Sequence, residues 1–151
     1  MKQFVYIVFL LLSLHVSAQT EKNYGIQFYH GTWKEACDKA KAENKLIFVD
    51  FYTKWCGPCL NMAENVFILP FIGDFYSTNF VNMKIDAENG EGVELAKRYG
   101  VNSYPTYVFV DPKNGDVVHR SKSRQEAEQF LATGKSALVP ELRSGYLIEE
   151  F

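Results

Sequence analysis

Apolar and polar positions along the chain follow the periods of helices and strands in alternation. Residues 24–29 fit a short first strand, and residues 46–52 form a nearly unbroken apolar and aromatic run. Such a run is typical of a strand covered on both faces, as in a parallel sheet between helices. Between them, Thr32 and Glu35 form a capping-box pattern, after which the apolar positions of 33–44 fall on one helical face. We therefore predict a helix that leads into a central strand.

The alternation continues beyond the central strand. A Gly-Pro pair at 57–58 opens the next helix, since proline costs little in a first helical turn. The elements expected after it are a helix through Met62 and Val66 toward Leu69, a short helix over 74–79, a strand over 81–86 and a helix over 93–99 that ends at Gly100.

The last third of the chain contains a hairpin pattern. Strands over 106–110 and 116–121 are separated by a turn with Asn114-Gly115, which predicts antiparallel neighbours. Ser123 with Glu126 repeats the capping-box pattern and predicts a last helix that ends at Gly134. The tail over 135–151 is apolar but interrupted by Pro140 and Gly145, and the sequence assigns it no role.

The first 18 residues have the pattern of a secretory signal. Met1-Lys2 precedes an apolar run over 4–14, and Val16-Ser17-Ala18 supplies small residues for cleavage before Gln19. As a helix the run spans about 16 Å, roughly half of a ~30 Å hydrocarbon core. We expect a signal peptide over 1–18, a domain over 19–134 and a periplasmic or otherwise exported protein that does not span a membrane; an uncleaved N-terminal anchor is the alternative.

Composition limits the possible functions. The chain has 151 residues, 47% hydrophobic and 23% charged, which suits one globular domain. A net charge of -2 leaves no basic field for phosphates, so nucleic acid is not an expected partner. Three cysteines are too few for a disulfide scaffold, which directs attention to Cys56 and Cys59.

Cys56 and Cys59 are separated by two residues, at the place where the central strand is followed by a helix. The helix dipole and the unpaired N–H groups of a first turn favour a thiolate at Cys56, whose pKa can fall from ~8.5 to roughly 7. Cys56 is therefore the expected nucleophile. Cys59, one turn further in, can attack a mixed disulfide between Cys56 and a client protein, which leaves a Cys56–Cys59 disulfide.

A metal site, a haem site and a structural disulfide are the other interpretations of the cysteine pair. A zinc site needs four ligands, but no second cysteine pair exists, and a covalent haem site needs His where the chain has Leu60. We expect no metal and no cofactor. An inert structural disulfide stays open, although Trp55, Gly57 and Pro58 around the sulfurs favour an exposed reactive pair.

The motifs resemble the thioredoxin superfamily in order and spacing. They are Val49-Asp50-Phe51, then Trp55-Cys56-Gly57-Pro58-Cys59, then Gly100-Val101 before Tyr104-Pro105-Thr106. Glu64 and Phe67 follow the cysteine motif in a manner similar to the exported C-terminal domain of thiol:disulfide interchange proteins. The resemblance implies an α/β thioredoxin fold, in which a central mixed sheet is flanked by helices on both faces.

The resemblance also implies roles for residues outside the cysteine pair. Pro105 would be a cis-proline whose loop, with Tyr104, pairs with a client strand and binds it together with Trp55, Gly57 and Pro58. Asp50 would be the buried carboxyl that accepts the proton of Cys59; a solvated strand-end Asp is the alternative. Thioredoxins place a lysine beside that Asp, and the matching position here is Asn82, with Lys84 two residues on.

The remaining candidates receive structural roles. Cys37 lies on the apolar stripe of its helix and is expected to be a buried small side chain. His30 and His119 are expected at the surface.

Gly-Pro between the cysteines is the dipeptide of reducing thioredoxins. We therefore predict an exported protein-disulfide reductase that acts in cell redox homeostasis on client proteins with disulfides. The resemblance implies a membrane electron donor of the thiol:disulfide interchange type. An oxidase or isomerase, or a non-catalytic binding module with a static disulfide, are the alternatives.

Overall fold

Four strands form one mixed sheet in residues 24–144, the part of the chain that the structure, a computed structural model, describes. The strands are β1 (Leu46–Tyr52), β2 (Phe80–Asp86), β3 (Thr106–Val110) and β4 (Val117–Lys122). The helices are α1 (Trp33–Glu43), α2 (Gly57–Asn65), α3 (Pro70–Asn79), α4 (Gly92–Arg98) and α5 (Ala127–Leu138), followed by a 3-10 turn over Pro140–Leu142.

The sheet has the order β2-β1-β3-β4. β1 is parallel to β2 and antiparallel to β3, and β3 and β4 form the expected antiparallel hairpin. The turn of that hairpin contains Gly115 at φ 81°, a left-handed conformation that glycine adopts without strain. Because β1 lies between β2 and β3, the prediction of an apolar inner strand over 46–52 is confirmed.

Side chains of β1 alternate between two cores. Ile47, Val49 and Phe51 lie in the core under α1 and α4, whereas Phe48 lies in the core under α2, α3 and α5. Asp50 has the parity of Phe48, so its carboxyl points to the face that α2 covers. Helices on both faces of a mixed sheet are the fold that the sequence resemblance implied.

The N-terminus of α1 confirms the predicted capping box. Thr32 Oγ1 accepts the N–H of Glu35 at 3.3 Å, and the Glu35 carboxylate accepts the N–H of Thr32 at 2.8 Å. Two of the donors left free at a helix start are thereby satisfied. The helix ends at Asn44, which has a left-handed φ of 51°.

The prediction of a strand over 24–29 is wrong. Only Phe28 forms a β-bridge, to Asn82. The N–H of Ile26 bonds to Phe67 O at 2.8 Å, whereas that of Tyr29 bonds to Asn82 O at 2.7 Å. Because the segment bonds to two different elements in turn, it cannot form a continuous ladder with either.

The helix before β2 is longer than predicted. α3 begins at Pro70 rather than near residue 74, with proline in its first turn. Leu69 and Pro70, toward which the preceding helix was expected to run, therefore begin the next helix.

The last helix differs from its prediction at both ends. Glu126 caps α5 without a side-chain bond, and Ser123 instead has a φ of 71° and donates its N–H to Pro105 O at 3.0 Å. The helix also continues past Gly134 to Leu138. Gly134 is buried there, where a Cβ would come within 2.9 Å of Phe75 and Tyr76, so this glycine serves helix packing and does not end the helix.

No helix within residues 24–144 is long and apolar enough to cross a bilayer. The predicted signal peptide over 1–18 and the tail from residue 145 lie outside the described residues.

Candidate active site

The cysteine pair lies where the chain leaves β1 and enters α2. Cys56 is the N-cap of α2 and is bonded to Cys59 in a disulfide, with 5.3 Å between the two Cα atoms. Cys56 Sγ accepts the N–H of Cys59 at 3.2 Å. The first sulfur therefore receives a backbone donor at the positive end of the helix dipole, as the sequence predicted.

The residues around the pair fix the turn. The N–H of Cys56 bonds to Thr53 O at 3.2 Å, which closes the chain between strand and helix. Pro58 lies in the first turn of α2, where its missing N–H has no helical partner to lose. Both cysteines are nearly buried, with 6% of Cys56 and 3% of Cys59 exposed. The exposed pair expected from the sequence is therefore corrected: Cys56 keeps only a small exposed area, and Cys59 keeps less.

Asp50 is buried beneath this turn. Its side chain is 1% exposed, and neither carboxyl oxygen has a hydrogen-bond partner among residues 24–144. Burial raises its pKa from 3.8 to about 7, and the positive charge of Lys84 opposes part of that rise. A solvated Asp is therefore excluded. Asp50 has the affinity for a proton that a base working near neutral pH requires.

The lysine beside Asp50 lies at position 84 and not at the position of Asn82. The parallel register of β1 and β2 pairs Asp50 with Lys84, and it pairs Asn82 with Phe48. Asn82 is buried and donates its side-chain amide to Tyr76 O at 3.1 Å, which gives it a structural role. The lysine that thioredoxins place beside the buried Asp is thus supplied here by Lys84, two residues after Asn82, which is one full period of a strand.

Trp55 is exposed beside the sulfurs and held by two partners. It is 69% exposed, so it does not pack in the core. Its indole Nε1 donates to the Glu88 carboxylate at 3.0 Å and 3.1 Å. Its ring meets that of Tyr104 edge to face, with centroids 5.9 Å apart. The indole thus offers a flat apolar face in a fixed orientation.

The Tyr104–Pro105 peptide bond is cis, as the resemblance implied. Tyr104 contacts Trp55, so the cis-proline loop lies against the residue that precedes Cys56. On its other side the loop is bonded to Ser123, whose N–H donates to Pro105 O. The fold therefore brings Trp55 and Cys56 together with Pro105 at one end of the sheet, from two separate segments.

Other residues singled out in the sequence lie elsewhere. Cys37 is a free, half-buried cysteine that packs against the core under α1, where burial raises its pKa. His30 is exposed, but His119 is half-buried, which corrects its expected surface position. Its Nδ1 accepts the N–H of Ser144 at 3.0 Å, and its ring lies 5.6 Å from that of Phe109. Residues 24–144 contain no cluster of three or more side chains able to hold a metal ion.

Glu88 was missed in the sequence, and Lys84 was named there but given no role. Glu88 is 33 positions from Trp55, and nothing local connects them. The role of Lys84 could have been found by aligning the apolar positions of β1 with those of β2, because that alignment places Lys84 opposite Asp50.

Comparison with known proteins agrees with the geometry. The thioredoxin-like domain family matches residues 33–138, so the chain belongs to this family. Thioredoxin-1 of Drosophila yakuba is 48% identical over 69 residues, which cover 46% of this chain and 60% of that protein. The match thus spans less than two thirds of that relative.

Two solved structures are also similar. One is a proposed disulphide-isomerase from Bacteroides thetaiotaomicron, with 41% identity and a TM-score of 0.69 over 78% of this chain and 97% of that one. The other is the reduced C-terminal domain of Neisseria meningitidis DsbD, with 25% identity and a TM-score of 0.57 over 69% of this chain and 92% of that one. The fold, the family and the cysteine pair define a thioredoxin-like protein with a disulfide-forming Cys56–Cys59 pair.

Proposed function

We propose that this protein is an exported reductase of client protein disulfides. The observation that carries the proposal is the position of Cys56, whose sulfur caps α2 and accepts the N–H of Cys59. When the disulfide is reduced, the same donor and the helix dipole stabilise a thiolate on Cys56 over a thiol. This sulfur is then a nucleophile at neutral pH.

The reaction proceeds by two exchanges. The Cys56 thiolate attacks one sulfur of a client disulfide, forms a Cys56–client bond and expels the other client sulfur as a thiolate, which takes a proton from water. Cys59 then loses its proton and attacks Cys56 Sγ. The Cys56–Cys59 bond forms, the mixed disulfide breaks, and the second client thiolate leaves. The client gains two electrons and two protons, and the cysteine pair is oxidised to the disulfide seen in the structure.

Asp50 is the proposed acceptor of the Cys59 proton. Its pKa of about 7 lets it take a proton from a thiol and release it again near neutral pH. Its carboxyl is on the face of the sheet that α2 covers, the helix that carries Cys59. No other titratable side chain described on that face combines full burial with a pKa near neutrality.

The Gly-Pro pair between the cysteines supports the reductive direction. Reducing thioredoxins have potentials of about -270 mV, against about -120 mV for strongly oxidising exported relatives. That difference of roughly 150 mV corresponds to about 7 kcal/mol, so one protein does not serve both roles. An exported reductase must be recharged, and the similarity to the DsbD domain supports a membrane electron donor of the thiol:disulfide interchange type.

Reduction of insulin by dithiothreitol tests the activity. We expect the chain from Gln19 onward to accelerate the reaction, Cys56→Ser to abolish the acceleration, and Cys37→Ser to leave it unchanged. Equal rates with wild type and Cys56→Ser would overturn the enzymatic proposal. Export is tested separately by fractionating cells that express the full chain and by sequencing the mature N-terminus, which we expect to be Gln19.

An isomerase or oxidase is the second candidate, favoured by the similarity to the Bacteroides protein. Equilibration of the Cys56–Cys59 pair with glutathione separates the directions. A potential below about -230 mV supports the reductase, and one above about -180 mV supports oxidation or isomerisation. A pair that resists dithiothreitol while client proteins still bind would instead indicate a binding module.

A further inference from the structure

A small groove opens beside the disulfide, on the side of β2. Its walls come from the end of β1, the first turns of α2 and one side chain of β2, and it has a volume of about 220 Å³. Its lining residues include Tyr52, Lys54, Cys56, Cys59, Leu60 and Lys84. The wall is largely apolar, includes both cysteines, and contains two lysines and no carboxylate.

Lys84 is the cation on the β2 wall of this groove. Its Nζ lies 4.9 Å from the ring centroid of Tyr52 and 5.9 Å from that of Phe67. Within residues 24–144 it forms no ion pair at 4 Å or less and no hydrogen bond. Its strand neighbour Asp50 acts on it through space but does not accept a hydrogen bond. Lys84 is thus a half-buried residue with no hydrogen-bond partner in this part of the chain, and it lines a groove that borders the reactive sulfurs.

We propose that this groove binds the carboxylate of an Asp or Glu side chain next to the attacked cysteine of a client, with Lys84 as its partner. The proposal rests on the reductase function proposed above. Because Cys56 itself lines the groove, a client cysteine bonded to its sulfur brings the side chains of its chain neighbours beside the groove. An acidic neighbour then pairs with Lys84, while its methylene groups contact Tyr52 and Leu60.

Volume and charge favour a single acidic side chain over other occupants. Pockets for small molecules usually measure about 300–1,000 Å³, more than this groove offers. A cationic side chain would be repelled by both lysines, and a neutral one would leave the Lys84 donors unused. A carboxylate satisfies them through a charge-assisted hydrogen bond, which is stronger than a neutral one.

Matched disulfide peptides test the proposal. Three peptides carry Glu, Gln or Lys next to one cysteine of the same disulfide, and kcat/KM for their reduction is measured with the wild type, Lys84→Met and Lys54→Met. We expect wild type to prefer Glu over Gln by about three- to tenfold, with Lys the poorest. Lys84→Met should reduce that preference to about one. Lys54→Met, at the exposed rim, should change it by less than twofold because water screens that charge.

The ratio of two substrates within one variant isolates the binding effect. Lys84→Met also acts on Asp50 and so changes the rate for every peptide, but this change cancels in the ratio. A wild-type ratio near one, or a ratio that survives in Lys84→Met, would overturn the proposal while leaving the reductase function intact. Failure of all peptides to react would instead count against the reductase function. Oxidised glutathione, reduced with the same dependence on Lys84 and at a higher kcat/KM than the Glu peptide, would replace the client side chain by a small anionic disulfide and overturn the choice of occupant.

Discussion

Asp50 and Lys84 are direct neighbours across the parallel strands β1 and β2, and neither forms a hydrogen bond with the other. Asp50 is buried, and Lys84 is a half-buried residue that lines the groove beside the disulfide. Burial raises the pKa of Asp50, and the nearby charge limits the rise. This pair therefore sets the proton affinity of the base beneath the cysteines, and two predictions depend on it.

Asp50→Asn is expected to stabilise the protein at alkaline pH. The pKa of Asp50 is about 7 in the folded protein and about 3.9 when unfolded, so the wild type loses stability as pH rises from about 4 to 7. Removal of the charge should raise the free energy of unfolding by about 2–4 kcal/mol at pH 8 and by little at pH 4. Urea unfolding at both pH values measures this difference. The exposed Asp74→Asn is the control, and a difference that does not depend on pH would contradict a buried carboxylate.

Lys84→Met is expected to raise the pKa of Asp50 above its wild-type value of about 7. The lysine charge favours the ionised carboxylate, so its loss leaves burial unopposed. The pKa can be read from the carboxyl carbon shift of Asp50 in an NMR titration. Lys54→Met serves as the matched control, because its exposed charge is screened by water. A lower pKa in Lys84→Met would show that the lysine does not act on this carboxyl.

Cys59→Ser is expected to trap clients as mixed disulfides on Cys56. The Cys56 thiolate still attacks the client, but a serine hydroxyl cannot displace the second client sulfur, so the covalent complex persists until an external thiol is added. Non-reducing gels and intact mass after incubation with a disulfide peptide should show an adduct of one peptide. Cys37→Ser in the same background should keep the adduct. An adduct that survives Cys56→Ser in this background would assign the nucleophile to Cys37 instead.

The sequence predicted those parts of the site that depend on local pattern. An unbroken apolar strand, a first turn with Gly-Pro and two cysteines one turn apart are local signals, and β1, α2 and the Cys56–Cys59 pair follow them. For Asp50 the sequence predicted burial but left a solvated carboxyl as the alternative, and the structure shows the buried one.

Interactions between distant segments escaped the sequence. The partner of Asp50 depends on the register of two parallel strands, which the helices α2 and α3 separate in the chain. The capping-box pattern at Ser123 failed because its N–H bonds to Pro105 O, so this residue is tied to the cis-proline loop and does not cap α5. Local polar patterns predict a helix start only where no distant partner competes for the same N–H.

Gly134→Ala tests the packing of α5 on α3 as the reason for a glycine inside a helix. In an exposed helix alanine stabilises by about 1 kcal/mol over glycine. Here an added Cβ would lie 2.8 Å from Phe75 Cε1 and 2.9 Å from the Tyr76 ring, whose hydroxyl donates to Phe130 O at 2.8 Å. Overpacking of this kind costs about 1–3 kcal/mol and should outweigh the gain, so we expect Gly134→Ala to lower the free energy of unfolding. Ala132→Gly, at an exposed position of the same helix, should cost about 1 kcal/mol. A Gly134→Ala variant more stable than wild type would show that the ring contacts yield and that Gly134 is not fixed by packing.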